Sequence, residues 1–337
     1  VTKKINIHSF LLEAKSKPVI DVRSEDEFAT GHIPNAINIP ILCNKERAAV
    51  GTLFKKYGKQ KAVLKGLELS GPHFANRLKL AIKQIGDNDP LVHCWRGGMR
   101  SSFYSYLLEF YGYSPAILDG GYKSYRKSVH GYFEKSFQFK VIGGKTGVGK
   151  TKILQKMKEL GCQVVDLEAL ANHKGSAFGG IGVGAQPSQE QFENNLFHQI
   201  HQFNIEQPIW IENENRTIGD KVIPAAIWNQ MIKADLIVLE DSEQKRLATI
   251  VEEYGHLEIN ELKSAFEKIS KRIGPQHYKS AIQDLEIGNI ESAFARALTY
   301  YDNSYTFNLE KKGRIPKSII NIEGQSLMQI IAVLRDY

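Results

Sequence analysis

The sequence predicts an α/β protein of two consecutive domains, each built on a parallel sheet, the second enlarged by a block of helices. Three observations carry this prediction. Between residues 18 and 121, short apolar runs bounded by turn residues alternate with helical patterns, as parallel strands and their covering helices do. A second alternation of the same kind starts near residue 137, directly after a basic, turn-poor stretch. Between 243 and 303 the pattern is helical throughout. At 337 residues the chain is long enough for two domains that each bury a core. No apolar run approaches the ~18 residues that a membrane span needs, and the basic opening "VTKKINIHSF" lacks the apolar stretch of a secretory signal.

The elements follow in order. "PVIDV" (18–22) is uniformly apolar up to its aspartate and reads as a strand buried on both faces. "EDEFATG" carries acids where a helix N-terminus favours them and glycine where a helix stops. "AINIP" (36–40) is a further strand, and 44–80 is a basic, helical insertion. "PLVHC" (90–94) is a strand that runs into a glycine loop, followed by the helix "SSFYSYLLEFYG" and by "PAILDGG" (115–121), a strand and turn. The boundary falls in "RKSVHGYFEKS" (126–136), giving domains 1–130 and 137–337. In the second domain "FQFKVIGG" is a strand, followed by a glycine loop and the helix "KTKILQKMKELG". "CQVVDLEAL", "QPIWIENE" and "ADLIVLED" supply further strands. After the helices of 243–303, "SIINIEG" and "SLMQIIAVLRDY" close the alternation.

Cys43, Cys94 and Cys162 are odd in number and far apart, which argues against a disulfide framework and for a reducing cytoplasm that keeps thiols free. The net charge of +7 is unevenly placed. Residues 45–65 hold seven Lys/Arg against one acid, and 121–160 hold ten against two. Such segments are either solvated faces or a nucleic-acid footprint, with Tyr57, Tyr122 and Tyr125 available for stacking.

Two loops carry chemistry. In "HCWRGGMRS" (93–101), Cys94 lies between a strand end and a helix start, where backbone N–H groups and the helix dipole favour an anion. Arg96 and Arg100 add positive charge, Gly97 and Gly98 let the backbone turn inward as a cradle, and Ser101 follows. A depressed thiol pKa and a reactive thiolate are expected. His93-Cys94, five residues, then Arg100-Ser101 is the signature of a cysteine phosphatase. It is equally the kind of loop that carries sulfur on a sulfurtransferase, so the loop leaves both chemistries open. The second loop, Gly144-Lys145-Thr146-Gly147-Val148-Gly149-Lys150-Thr151, fits the Walker A pattern between a strand and a helix. Its N–H groups suit a di- or triphosphate, Lys150 pairs with the oxygens, and Thr151 is placed to hold Mg²⁺. Glu212 and Glu214 in "IWIENENRTIG" are the candidate acids on a neighbouring strand end, with Arg216 as a phosphate contact. A merely solvated strand end is the alternative. His198 and His201 lie one helical turn apart with no third metal ligand in pattern.

Upstream of the first loop, "DVRSEDEFATGHIPNAINIP" (21–40) places Asp21, Arg23, Glu27, Gly31, His32, Ile33, Pro34, Ala36 and Pro40 as a rhodanese domain does. Residues 1 to about 130 therefore resemble a rhodanese-like domain, a module shared by sulfurtransferases and a group of phosphatases. The second half reads as a P-loop NTPase-like α/β domain. In order, "CWRGGMRS", "GGKTGVGKT", "DLEALANHKGSAFG" (166–179), "QPSQEQFEN" (186–194) and "YYDNSY" (300–305) resemble the tRNA 2-selenouridine synthase family over nearly the whole chain. One departure stands out: Asn213 and Asn215 occupy "IENENRTIG" where an acid-serine-arginine pattern is expected, which leaves the roles of Glu212 and Glu214 open.

The resemblance implies a transferase that puts selenium into the wobble 2-thiouridine of tRNA. The base is first S-geranylated from geranyl diphosphate, and the geranylthio group is then displaced by selenium derived from selenophosphate. Cys94 would accept selenium, releasing phosphate and forming Cys–S–Se⁻, with Arg96 and Arg100 holding the donor and Trp95 lining a wall or stacking on the uridine. The Walker loop would hold the diphosphate. Lys55, Lys56, Lys59 and Lys61, with Lys123, Arg126 and Lys127, become candidates for tRNA phosphates. Selenophosphate synthetase is the implied donor source, and no stable metal or organic cofactor is implied. Three competitors stand beside this reading: a cysteine phosphatase fused to a P-loop kinase, a plain sulfurtransferase, and a non-catalytic tRNA- or nucleotide-binding module, which has no need of this cysteine loop.

Overall fold

A computed structural model describes residues 2–181, 183–311 and 313–337. It divides into two compact units, Val1–Tyr132 with Glu193–His198, and Phe133–Phe192 with Gln199–Tyr337.

The first unit is built on five parallel strands, β1 (Lys3–Ile5), β2 (Val19–Asp21), β3 (Ile37–Asn38), β4 (Leu91–His93) and β5 (Ala116–Leu118), in the order β1-β5-β4-β2-β3. β1, and the helix Ile7–Glu13 capped by the Asn6 side chain, have no counterpart in the predicted elements. The register sets Asp21 of β2 beside His93 of β4, so the residues after both strands emerge at one edge of the sheet. Strand ends of a parallel sheet are where α/β proteins place their sites. Ile20, Val22, Val92, Tyr104 and Leu108 pack with Cys94 in one buried cluster. The basic insertion forms three helices, Asn44–Tyr57, Lys59–Ser70 and Phe74–Ile85.

In the second unit β6 (Phe139–Gly144), β7 (Gln163–Val165), β8 (Ile209–Glu212), β11 (Asp235–Glu240) and β12 (Ser318–Asn321) form a parallel sheet in the order β12-β11-β6-β8-β7. β9 (Thr217–Ile218) and β10 (Lys221–Val222) form a separate antiparallel pair. β6 is central, and its register sets Ile142 beside Glu212. The helix Lys150–Glu159 and the helix Leu327–Arg335 bury Ile153, Met157, Ile330 and Leu334 against Ile142, Trp210 and Ile237 of the sheet.

The predicted helical block is four helices: Glu243–Tyr254, Ile259–Ile273, Pro275–Glu286 and Ile290–Lys311. They share a core in which Phe178 meets Phe266 edge-on at 5.1 Å and Phe294 at 5.3 Å. The last helix runs past residue 303, so "YYDNSY" lies within a helix and not at its end. Among the described residues, no helix is long and apolar enough to cross a membrane.

Candidate functional site

Cys94 follows β4 and is buried, 3% exposed. Its Sγ lies 3.3 Å from the Ser101 Oγ, which also reaches the Gly98 carbonyl at 3.0 Å. Ser101 sits in the first turn of the helix Met99–Tyr111, whose leading N–H groups have no carbonyl one turn back. Burial pushes the Cys94 thiol up. The Ser101 hydroxyl and N–H, the Arg100 charge and the Arg96 N–H outweigh it and hold the thiol below its ordinary value. Gly97 has φ +61°, and a Cβ there would run into the Leu118 carbonyl, so only glycine lets the loop pass so close to the end of β5. Gly98 meets open space. The loop is tied down from the other side, where Tyr122 and Lys123 donate to the carbonyls of Cys94 and Trp95 at 2.8 and 3.0 Å.

Arg100 is held by Glu27, whose carboxylate accepts from Nη1 at 2.7 Å and Nη2 at 3.3 Å. The same carboxylate pairs with Arg47 at 2.9 Å and caps its own helix through Ser24. Burial pushes Glu27 up, but Arg100, Ser24 and Arg47 bring its carboxyl down to about 2. Glu27 appeared in the sequence only as part of a pattern, and its partner lies 73 residues away. Asp21 and Arg23 are both fully buried; Arg23 donates to Asp21, to the Gly31 carbonyl at 2.6 Å, and stacks 3.8 Å over the Tyr122 ring. The Asp-x-Arg pattern is thus a buried strut under the thiol loop. His93 is buried too, and that burial lowers its imidazole to about 4, so it stays neutral. Trp95 and Arg96 are exposed at the loop's rim, with Trp95 5.8 Å from the Tyr122 ring.

The second loop leaves β6 at Gly144 and enters the helix Lys150–Glu159 through Gly149, φ +86°. Gly147, φ +84°, lies where a side chain would strike the Arg246 backbone. Lys150 Nζ donates to the Gly144 carbonyl at 3.1 Å and faces Glu212 at 3.4 Å. Thr151 Oγ1 is 3.4 Å from the other Glu212 oxygen. Burial lowers the Lys150 ammonium, but Glu212, Glu214 and Glu168 hold it above its ordinary value, so it stays charged.

Glu168, Glu212 and Glu214 bring carboxylate oxygens within 4.8 Å of one another, the one grouping of metal-type ligands among the described residues. Burial and the two neighbouring charges push Glu168 up to about 9, so this carboxyl carries a proton at neutral pH. Hard oxygen donors beside a threonine hydroxyl suit a divalent cation such as Mg²⁺. Glu212 and Glu214 are legible in the sequence; Glu168, which comes from a different strand end, is not.

A cavity of about 630 Å³ opens on this loop. Its lining includes Gly147, Gly149, Lys150, Thr151 and the three carboxylates, with Lys174 and Arg272, and also Phe178, Ile250, Tyr254, Phe294 and Tyr301, together with Glu252 and Glu253. The helix Ile290–Lys311 is fastened to the loop. The Tyr305 hydroxyl accepts from the Gly144 N–H at 2.8 Å, and Asp302 pairs with Arg246, which donates to the Thr146 carbonyl at 3.1 Å. Lys145 faces Asp302 at 3.5 Å. Asn213, one of the two departures, accepts from Arg314 at 2.7 Å.

Other candidates lie elsewhere. Arg216 is exposed beside the β9–β10 hairpin and does not line the cavity; Arg272 is the arginine that does. Lys55, Lys56, Lys59 and Lys61 are all exposed, with Lys61 4.6 Å over the Tyr57 ring. Lys123 and Lys127 are exposed, whereas Arg126 pairs with Glu193 and donates to Asn194 at 2.6 Å.

A rhodanese-type thiol loop on one α/β unit and a carboxylate-rimmed P-loop on the other mark the class of a two-domain transferase. Residues 8–128 match the rhodanese-like domain, and 137–333 match the tRNA 2-selenouridine synthase AAA domain. Proteins described as tRNA 2-selenouridine synthase are similar over most of the chain. That of Shewanella sp. (strain MR-4) is 31% identical, with 88% of this chain and 85% of that one covered. That of Marinobacter nauticus is 33% identical over 88% and 90%, and that of Proteus mirabilis 33% over 89% and 91%. The chain belongs to the tRNA 2-selenouridine synthase family.

Proposed function

We propose that this protein replaces sulfur by selenium in the wobble 2-thiouridine of tRNA, by S-geranylation from geranyl diphosphate and then selenation from selenophosphate. The observation that carries this reading is the cavity of the second unit, whose lining joins a diphosphate-type loop with aromatic and apolar side chains. An isoprenoid diphosphate has a use for both kinds of lining: the loop takes its diphosphate, and the aromatic and apolar side chains take its hydrocarbon chain. The volume of about 630 Å³ lies within the ~300–1,000 Å³ usual for pockets that enclose a ligand of this size.

In the first step the sulfur of the base attacks the first carbon of the geranyl chain, diphosphate leaves, and the base loses its N3 proton. The loop N–H groups and the charged Lys150 hold the departing diphosphate, in surroundings dry enough for that charge to count. Mg²⁺, held by Thr151 and the carboxylates, would neutralise further phosphate charge. In the second step the balance is one S-geranyl base, one selenophosphate and one water giving 2-selenouridine, geranylthiol and phosphate. Cys94, poised as thiolate, and its cradle with Arg96 and Arg100 take the anionic donor. Selenophosphate synthetase is the source of that donor, the exposed lysine clusters meet tRNA phosphates, and the free thiols suit the cytoplasm.

Purified protein, 2-thiouridine tRNA and geranyl diphosphate test the reading, with selenophosphate added afterwards and nucleosides followed by mass spectrometry. S-geranyl-2-thiouridine should form first and convert to 2-selenouridine. Selenation of 2-thiouridine tRNA at full rate without the isoprenoid would refute the first step.

A further inference from the structure

We propose that the Cys94 thiolate attacks the phosphorus of the selenium donor, not its selenium, so that the loop accepts a phosphoryl group and releases selenide. This rests on the reading that selenophosphate is the donor. The phosphatase signature His93-Cys94-X5-Arg100-Ser101 is then the chemistry that the loop performs on its way to selenation.

Electron balance separates the two routes. Attack at selenium forms Cys–S–Se⁻ and leaves the electron pair of the Se–P bond on phosphorus, which departs as phosphite. That route reaches phosphate, as the sequence led one to expect, only with an added two-electron oxidant. Attack at phosphorus needs none. The S–P bond forms, the Se–P bond breaks, and selenium leaves with the bonding pair as hydrogen selenide. Hydrogen selenide adds to C2 of the S-geranyl base, its proton passes to N3, and geranylthiolate leaves. Water then cleaves the S–P bond, giving phosphate and returning the Cys94 thiolate.

The geometry fits a phosphoryl acceptor. The Ser101 and Arg96 N–H groups and the Arg100 charge converge on Sγ, and Glu27 fixes that guanidinium through two hydrogen bonds. Oxygens bound by these donors leave the fourth substituent of phosphorus, selenium, opposite the sulfur and in line for departure. Within the same loop and its helix start, Trp95 is 39% and Met99 54% exposed, a surface open to a bulky base. The Ser101 hydroxyl, 3.3 Å from Sγ, is placed to donate to the thiolate as it leaves phosphorus during hydrolysis. Loss of one charge-assisted hydrogen bond there should slow that hydrolysis about tenfold.

The test uses the full-length protein, pre-geranylated tRNA and selenophosphate labelled with radioactive phosphorus. Acid quench of Ser101→Ala should trap labelled phosphorus on the Cys94 peptide, with less trapped on wild type and none on Cys94→Ala. Phosphorus NMR of the wild-type reaction, which does not depend on any variant folding, should show phosphate alone. Phosphite in that spectrum, or selenium without phosphorus on Cys94, overturns the proposal while leaving the donor intact. Wild-type protein that consumes no selenophosphate beyond the Cys94→Ala level sinks the donor reading itself, and the proposal with it.

Discussion

Replacing Ser101 by alanine isolates what the loop does to its thiol. Ser101 is fully buried, and its hydroxyl lies 3.3 Å from Sγ, so alanine removes one donor to the thiolate and leaves the Ser101 and Arg96 N–H groups in place. A hydrogen bond to a charged group contributes about 1.5–3 kcal/mol. The long separation and the diffuse charge on sulfur argue for the lower end, about 1.5 kcal/mol. The sign follows from which form the donor favours: it stabilises the thiolate, so its loss raises the pKa. Below that pKa the reactive fraction falls about tenfold, since about 1.4 kcal/mol is a factor of ten. At alkaline pH, where both proteins are fully ionised, the rates converge. The assay is iodoacetamide alkylation across pH, read at the Cys94 peptide by mass spectrometry, with the partly exposed Cys43 and Cys162 as internal references. Rate–pH curves for Cys94 that coincide in the variant and the wild type would show that the thiolate owes nothing to Ser101.

Lys150→Ala should abolish tight binding of inorganic diphosphate, measured by calorimetry, and stop geranylation while pre-geranylated tRNA is still selenated; equal failure on both tRNAs contradicts the division. The same change leaves Glu212 buried without its cation, which costs about 3–5 kcal/mol and should lower the melting temperature. Glu168→Gln tests the proton that the Glu168 carboxyl carries. Its carboxyl titrates near 9 in the fold against 4.5 for the free group, so wild-type folding must take up a proton once pH exceeds the free value. The cost grows from pH ~4.5 to about 3 kcal/mol at pH 7. The glutamine variant should therefore be the more stable at pH 7, by denaturant melts, and lose its advantage towards pH 5; an advantage that does not change with pH contradicts the assignment. Neutralising Lys55, Lys56, Lys59 and Lys61 should weaken tRNA binding and flatten its salt dependence by about 0.7–0.9 for each phosphate no longer neutralised. Unchanged affinity and slope would make those side chains mere solvated surface.

Both sheets were legible because parallel strands buried on two faces read as continuous apolar runs, as "PVIDV" and "ADLIVLED" do. β1 was not, since three residues beginning Lys3-Lys4 carry no such run, and pairing with β5 is a long-range fact. The two loops were legible because glycine spacing and helix starts are local. Their supports were not. Glu27 grips Arg100 across 73 residues, and the Tyr305 hydroxyl meets the Gly144 N–H across 161, distances no local pattern encodes. Glu168 joins Glu212 and Glu214 only because β7 and β8 are neighbours in the sheet. Arg216 shows the converse: close in sequence to Glu214, it is carried off by the hairpin that begins at Thr217.

Nucleoside mass spectrometry of tRNA decides whether this chain geranylates and then selenates tRNA with Cys94 needed only for the second step. The samples come from cells lacking the protein and supplied with wild type, Cys94→Ala or Lys150→Ala. Wild type should yield 2-selenouridine, Cys94→Ala should accumulate S-geranyl-2-thiouridine, and Lys150→Ala should stop at 2-thiouridine. 2-Selenouridine at the wild-type level in the Cys94→Ala cells would contradict a role for Cys94 in selenation.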